Sequence, residues 1–173
     1  MSKLVAIAAS LYLFTFAYFG FVPAASAHSL THNLNSAIAT PMTLFSFSGT
    51  RPTNLGINNG KLLDCPNSPN CVSSQSTDAE HKIAPLTYTG DPAKALADLK
   101  AVIASLPRTK IITAEGNYIY AEFASKLMGY VDDVEFYLNA DKGLIEVRSA
   151  SRLGQSDLGV NRDRIETIRS KFA

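Results

Sequence analysis

Fifteen residues, Arg148-Ser149-Ala150-Ser151-Arg152-Leu153-Gly154-Gln155-Ser156-Asp157-Leu158-Gly159-Val160-Asn161-Arg162, hold most of the chain's chemical potential. They combine guanidinium forks, small hydroxyls, glycines and an amide where an expected strand gives way to an expected helix. Two chemistries suit that set. Guanidinium groups, hydroxyls and the free N–H groups of a helix start can hold a carboxylate, phosphate or sulfate, on a small anion or on an acidic partner. With Asp132 or Asp133 as general base and Arg148 or Arg152 facing developing negative charge, the same residues could serve a hydrolase. A third reading involves no ligand: Asp132, Asp133, Glu135, Arg148, Arg152 and Asn161 neutralise one another and pin the last helix to a sheet. The candidate binding set is Asp132, Asp133, Arg148, Ser149, Ser151, Arg152, Asp157, Asn161 and Arg162. Exposure separates the readings, because guanidinium groups on an open pocket favour binding and full internal pairing favours structure.

Other chemistries find less support. The net charge is +1, so no global field draws the chain to nucleic acid or to an anionic membrane, although five of the seven arginines fall between Arg148 and Arg169. Asp157, Asp163 and Glu166 dilute that local charge. Cys65 and Cys71 read as a disulfide closing a small loop, contributing about 2–2.5 kcal/mol by chain entropy. Two further metal ligands at workable spacing are missing from this segment, and so is a Cys-x-x-Cys redox motif. His28 and His32 could chelate copper if the chain began at His28, but two histidines in a polar tether are more often only polar residues. No cofactor is implied.

The elements that must position these residues begin after an address. Residues 1–27 read as a signal peptide: Lys3, an uncharged apolar run from Leu4 to Val22, then Pro23 and the small-residue cleavage site Ala25-Ser26-Ala27. That run is also long enough to span a bilayer, so an uncleaved anchor is the competing reading, and the membrane would be met only through this segment. Either way the remainder lies outside the cytoplasm, in a periplasm or a thylakoid lumen, where an acidic partner would be another exported protein. Residues 28–54 read as a flexible linker, with a short apolar docking piece from Met42 to Phe47.

From residue 55 to 173 the pattern predicts one α+β domain. Lys82 to Tyr88, broken by Pro85, suggests an edge strand. Asp91-Pro92 starts a helix whose apolar stripe is Leu96, Leu99, Val102, Ile103 and Leu106, with Pro107 stopping it. Two hairpins follow, Thr109–Ala114 with Tyr118–Ala124 around Gly116-Asn117, and Val131–Asn139 with Leu144–Ser149. Alternation points Ile112, Ile119, Ala121, Phe123, Val134, Phe136, Leu138, Ile145 and Val147 towards the helix. Ile111, Thr113, Tyr118, Tyr120, Glu122, Asp133, Glu135, Tyr137, Glu146 and Arg148 fall on the other face.

Register sharpens this. With Leu138 opposite Ile145 and Phe136 opposite Val147, Glu135 faces Arg148 and Asp132 lies near Ser151. Arg152 or the loop's amides and hydroxyls would then serve Asp132, making the acidic pair and the arginine loop one site. A second helix carries a stripe of Leu158, Asn161, Ile165, Ile168 and Phe172, with Ser156 or Asp157 at its start. The inward Asn161 needs a hydrogen bond, expected from the Arg148–Arg152 loop backbone. Arg162, Glu166 and Arg169 read as a solvated ion-pair ladder.

Three blocks together resemble a known family. Cys65-Pro66-Asn67-Ser68-Pro69-Asn70-Cys71-Val72-Ser73-Ser74, Val131-Asp132-Asp133-Val134-Glu135-Phe136 and the Arg148–Arg162 loop are similar to the domain of unknown function 1499 family. The resemblance covers most of residues 55–172 and implies exported or organelle-targeted proteins without an established activity. The element order β-α-β-β-β-β-α also resembles TATA-binding-protein-like folds: an antiparallel sheet of about five strands, two helices on one face and the other face open to a ligand.

Overall fold

The computed structural model describes residues 47–173. The signal peptide, the histidines His28 and His32 and most of the linker lie outside the described residues.

Asp91 accepts hydrogen bonds from the N–H groups of Ala93 and Lys94 and so opens helix α1, Pro92–Ser105, with Pro92 in the first turn, where its missing donor costs nothing. Helix α2 covers Val160–Phe172. Both pack on one face of a mainly antiparallel sheet built from β1 (Cys71–Ser73), β2 (Leu86–Thr87), β3 (Thr109–Glu115), β4 (Tyr118–Ala124), β5 (Val131–Asn139) and β6 (Leu144–Ser151). The strand order is β1-β6-β5-β4-β3, and β2 pairs with the start of β6 beside β1. The fold is therefore α+β with six strands and two helices, one short strand more than the sequence pattern predicts. That strand, β1, has three residues, too few to show a period.

Leu99 and Ile103 of α1 meet Ile165 and Ile168 of α2 over Ile119, Ala121, Val134, Phe136, Ile145 and Val147, which form the core. The long hairpin register agrees with the alternation argument: Glu135 lies opposite Arg148, Phe136 opposite Val147, Leu138 opposite Ile145 and Asp132 opposite Ser151. The first hairpin departs from it. A bulge between Ile111 and Thr113 lets Ile111 face Ala121 and Ala114 face Ile119, so Ile111 and Ala114 pack on the core in place of Ile112.

The remaining departures concern chain ends. Leu158 is not part of the α2 stripe but 92% exposed, because the chain turns left-handed at Leu158 and Gly159 before the helix begins. Residues 47–56, much of which the pattern assigns to a flexible linker, run across the face opposite the helices. Phe47 donates its N–H to the Met128 carbonyl and stacks on Tyr130, Arg51 pairs with Glu122, and the Gly56 N–H reaches Glu135. That face is therefore strapped in part rather than open. Among the described residues no helix is long and apolar enough to cross a membrane.

Candidate functional site

Successive residues of a strand point to opposite faces, so Asp132 and Asp133 cannot share a site. On the strapped face, Asp133 receives Arg152 through Nε at 2.9 Å and Nη2 at 2.6 Å, and the Tyr120 hydroxyl at 2.6 Å. The other Arg152 contacts go to Glu122, to the Tyr120 hydroxyl at 3.2 Å and to the Ser48 carbonyl at 3.4 Å. Glu122 also takes Arg51 Nε at 2.6 Å. These two guanidinium groups, Arg51's bond first and then Arg152's, hold the Glu122 carboxyl down at about 2 despite partial burial. The bonds to Asp133 raise Arg152 in turn, while burial and then Asp133 push the Tyr120 hydroxyl up. Arg148 meets Glu135 at 3.3 Å as the register predicts, and Glu135 also accepts from the Tyr118 hydroxyl at 2.8 Å and the Gly56 N–H at 2.9 Å. Arg148 Nε is buried with no partner. Gly49 lets the strap approach: a β-carbon there would lie 3.0 Å from Arg152 Cβ and 3.1 Å from Leu153 Cγ, and its φ of +65° suits glycine.

The helix face carries a second network. Asp132 is paired not with Arg152 but with Arg164, whose guanidinium also lies 5.0 Å from the centre of the Phe123 ring. Arg164 Nη1 donates to Asn161 Oδ1 at 2.6 Å and to Ser149 Oγ at 3.0 Å. Ser149 Oγ donates to Asn161 Oδ1 at 2.5 Å, and Asn161 Nδ2 donates to Ser151 Oγ at 2.9 Å and to the Asn70 carbonyl at 3.0 Å. The buried Asn161 is thus satisfied by strand serines and the cysteine segment, not by the arginine loop's backbone. Gly159 takes the N-cap position of α2, and the Asp157 carboxylate, two residues earlier, accepts from the Gly159 and Asn161 N–H groups at 3.0 and 2.7 Å.

Arg162 and Arg169 do not form a solvated ladder. Arg162 donates to the carbonyls of Lys82 and Glu80, and Arg169 to those of Pro85 and Ala84, stapling α2 to the segment before β2. Arg169 also pairs with Glu166. Two residues outside the expected set prove central. Arg164 was findable, one helical turn beyond Asn161 and so on its face. Asn70, which donates to the Gly154 carbonyl at 2.6 Å and accepts from the Ser151 N–H at 3.0 Å, sits in a segment whose composition signals only turns. Cys65 and Cys71 are joined as a disulfide, with Cα atoms 5.7 Å apart.

A cleft opens where the arginine loop meets the β4–β5 connection and the start of α2. Its volume is about 480 Å³, and Phe47, Tyr130, Leu153, Leu158 and Val160 line it over a floor that includes Asp132 and Ser151. Leu127 and Met128 project from the same β4–β5 connection, 82% and 42% exposed. Elsewhere, Asp78, Glu80 and His81 bring three ligand atoms together, but the His81 ring nitrogens are engaged by Asp78 and the Ser68 carbonyl.

The three sequence blocks meet on the helix face, Asn70 from the first, Asp132 from the second and Ser149, Ser151 and Asn161 from the third, while Asp133 joins Arg152 on the opposite face. Residues 61–172 match the family described as Protein of unknown function (DUF1499). The chain belongs to this family. No curated protein matches it. The matched residues contain both helices, all six strands and the whole helix-face network of this DUF1499 chain, while Ser48, Arg51 and Gly56 of the strapped face precede them.

Proposed function

We propose that the domain is a non-catalytic binding module whose site is the cleft between the arginine loop, the β4–β5 connection and α2. Its ligand is a small, largely apolar molecule with one hydrogen-bonding end. A single observation carries this reading: the arginines are turned inward onto the protein's own carboxylates and carbonyls, and the hollow beside them is apolar. A volume of about 480 Å³ lies in the range of small-molecule pockets, as does an apolar wall over a few polar groups. Ser151 and Asp132 would meet the polar end. The anion reading loses its donors, since Arg148, Arg152 and Arg164 are all in ion pairs. Hydrolysis loses its base, since Asp133 is enclosed by Arg152 and Tyr120, and Asp132 is tied to Arg164. The Cys65–Cys71 disulfide supports an oxidising compartment, periplasm or lumen.

The test is a titration of residues 40–173 with Nile red, a neutral apolar dye. Saturable emission enhancement is expected, weakened about tenfold by Val160→Trp, a change that fills the cleft from a half-exposed position. An absence of saturable binding overturns the proposal. So does an anion-specific rise in Tm with phosphate, sulfate or citrate at matched ionic strength, which would return the site to the arginines.

A further inference from the structure

Among the described residues, the large apolar side chains left exposed gather at one end of the domain. Leu127, Met128 and Tyr130 come from the β4–β5 connection, Leu153 and Leu158 from the arginine loop, and Phe47 from the strap; of the others, Val160 adjoins them at the start of α2. Only Ile57 and Leu63 lie outside these segments. Contiguous exposed apolar area of this kind marks an interaction surface. Leu127 and Leu158, 82% and 92% exposed, stand out from two separate loops, and Leu158 also borders the cleft. A fluid apolar phase accommodates such tips, whereas a protein partner would have to match the hollow.

Charge and connectivity point the same way. Within Ser125–Tyr130 the one charge is Lys126, which is exposed, and exposed Arg108 is bonded to the Ala124 carbonyl at 3.1 Å at the same sheet end. In the loop from Arg152 to Val160, Arg152 is ion-paired inward and the Asp157 carboxylate is held by the Gly159 and Asn161 N–H groups, whereas Lys126 and Arg108 have no carboxylate partner among the described residues. Phe47, the first of the described residues, also sits at this end, and the apolar run Leu4–Val22 precedes it in the sequence. We propose that this end of the domain seats on an anionic lipid bilayer, with Leu127, Met128 and Leu158 entering the headgroup layer and Lys126 and Arg108 meeting lipid phosphates. Apolar insertion combined with basic side chains is how a peripheral surface holds a membrane.

Flotation of residues 40–173 with vesicles tests this without the apolar run, which would insert by itself. That span holds the whole sheet, both helices and the core, so it contains what folds it. Wild type is expected to float with vesicles of phosphatidylcholine and phosphatidylglycerol, and less with phosphatidylcholine alone. Leu127→Glu combined with Met128→Glu should reduce binding about tenfold or more at unchanged Tm, because both side chains face solvent. Wild type that stays unbound with both vesicle types overturns the proposal, as does a double variant that floats like wild type. Neither residue lines the cleft, so the two proposals fail separately. If Nile red does not bind but flotation and its loss in the double variant hold, the cleft reading falls and the membrane surface stands.

Discussion

Arg152 and Leu153 are neighbours in the chain, yet Arg152 commits every guanidinium nitrogen to the protein while Leu153 stands 43% exposed at the rim of a cleft. The polar region looks reactive in sequence and is saturated in space; the apolar region looks inert in sequence and is the part left free. Charge density along a chain says nothing about where the charges end. Strand register decides that, because it brings Asp133 and Glu122 opposite one another beside the loop that carries Arg152. A guanidinium whose nitrogens are shared among one buried carboxylate, one partly buried carboxylate, a hydroxyl and a carbonyl has no capacity left for a ligand.

The strongest way to break this contrast is Arg152→Ala. It leaves Asp133 and Glu122 without their shared cation, and should cost about 3–5 kcal/mol in urea unfolding. Arg152→Lys should recover only part of that, since an ammonium cannot reproduce the fork. A loss below about 1 kcal/mol would show the arginine to be free for other use. Next, Asn161→Leu should cost about 1–3 kcal/mol by taking the acceptor from the Ser149 hydroxyl and a donor from the Ser151 hydroxyl, measured the same way.

Protonation sharpens the comparison from both ends of the pH scale. Glu122 is depressed to about 2, so its contribution is present above its ordinary value and is lost as pH falls through the carboxylate range towards 2. Glu122→Gln should flatten that acid limb. His81 behaves oppositely: burial pulls it down, but its bonds to Asp78 and the Ser68 carbonyl outweigh this and raise it. Its contribution is full below about 6.5 and lost as pH rises through the higher folded value, so His81→Gln should remove a stability decline on the alkaline side. Smallest of all is Leu158→Ser, expected within about 0.5 kcal/mol of wild type despite its place in an apolar pattern. A larger loss would mean that the rim is packed after all.

Much of the fold was legible because period-two alternation fixes register: Glu135 opposite Arg148 followed from where Phe136 and Leu138 must point. Ile111 and Ile112 were assigned to the wrong faces because a bulge inserts one residue without any mark in an Ile-Ile pair. Leu158 fits a helical period, but the helix starts after it. That the candidate site's polar residues are bonded was legible, and how they group was not. Asp132, Asp133, Arg152 and Asn161 all carry buried bonds, yet they divide between two faces, and Arg164 replaces Arg152 as the partner of Asp132. The strap escaped because two of its bonds use backbone atoms, the Ser48 carbonyl and the Gly56 N–H, which leave no signature in side-chain composition, and its two side-chain contacts, by Phe47 and Arg51, belong to no periodic pattern.

The strap also sets how the molecule yields to force. A pull on the N-terminal side of Phe47 is taken first by the Phe47–Tyr130 stack, then by Ser48, Arg51 and Gly56, each a separate attachment that fails before the next is loaded. The sheet behind them would feel tension only after all four have let go, so residues 47–56 act as a fuse that peels while the core stays closed.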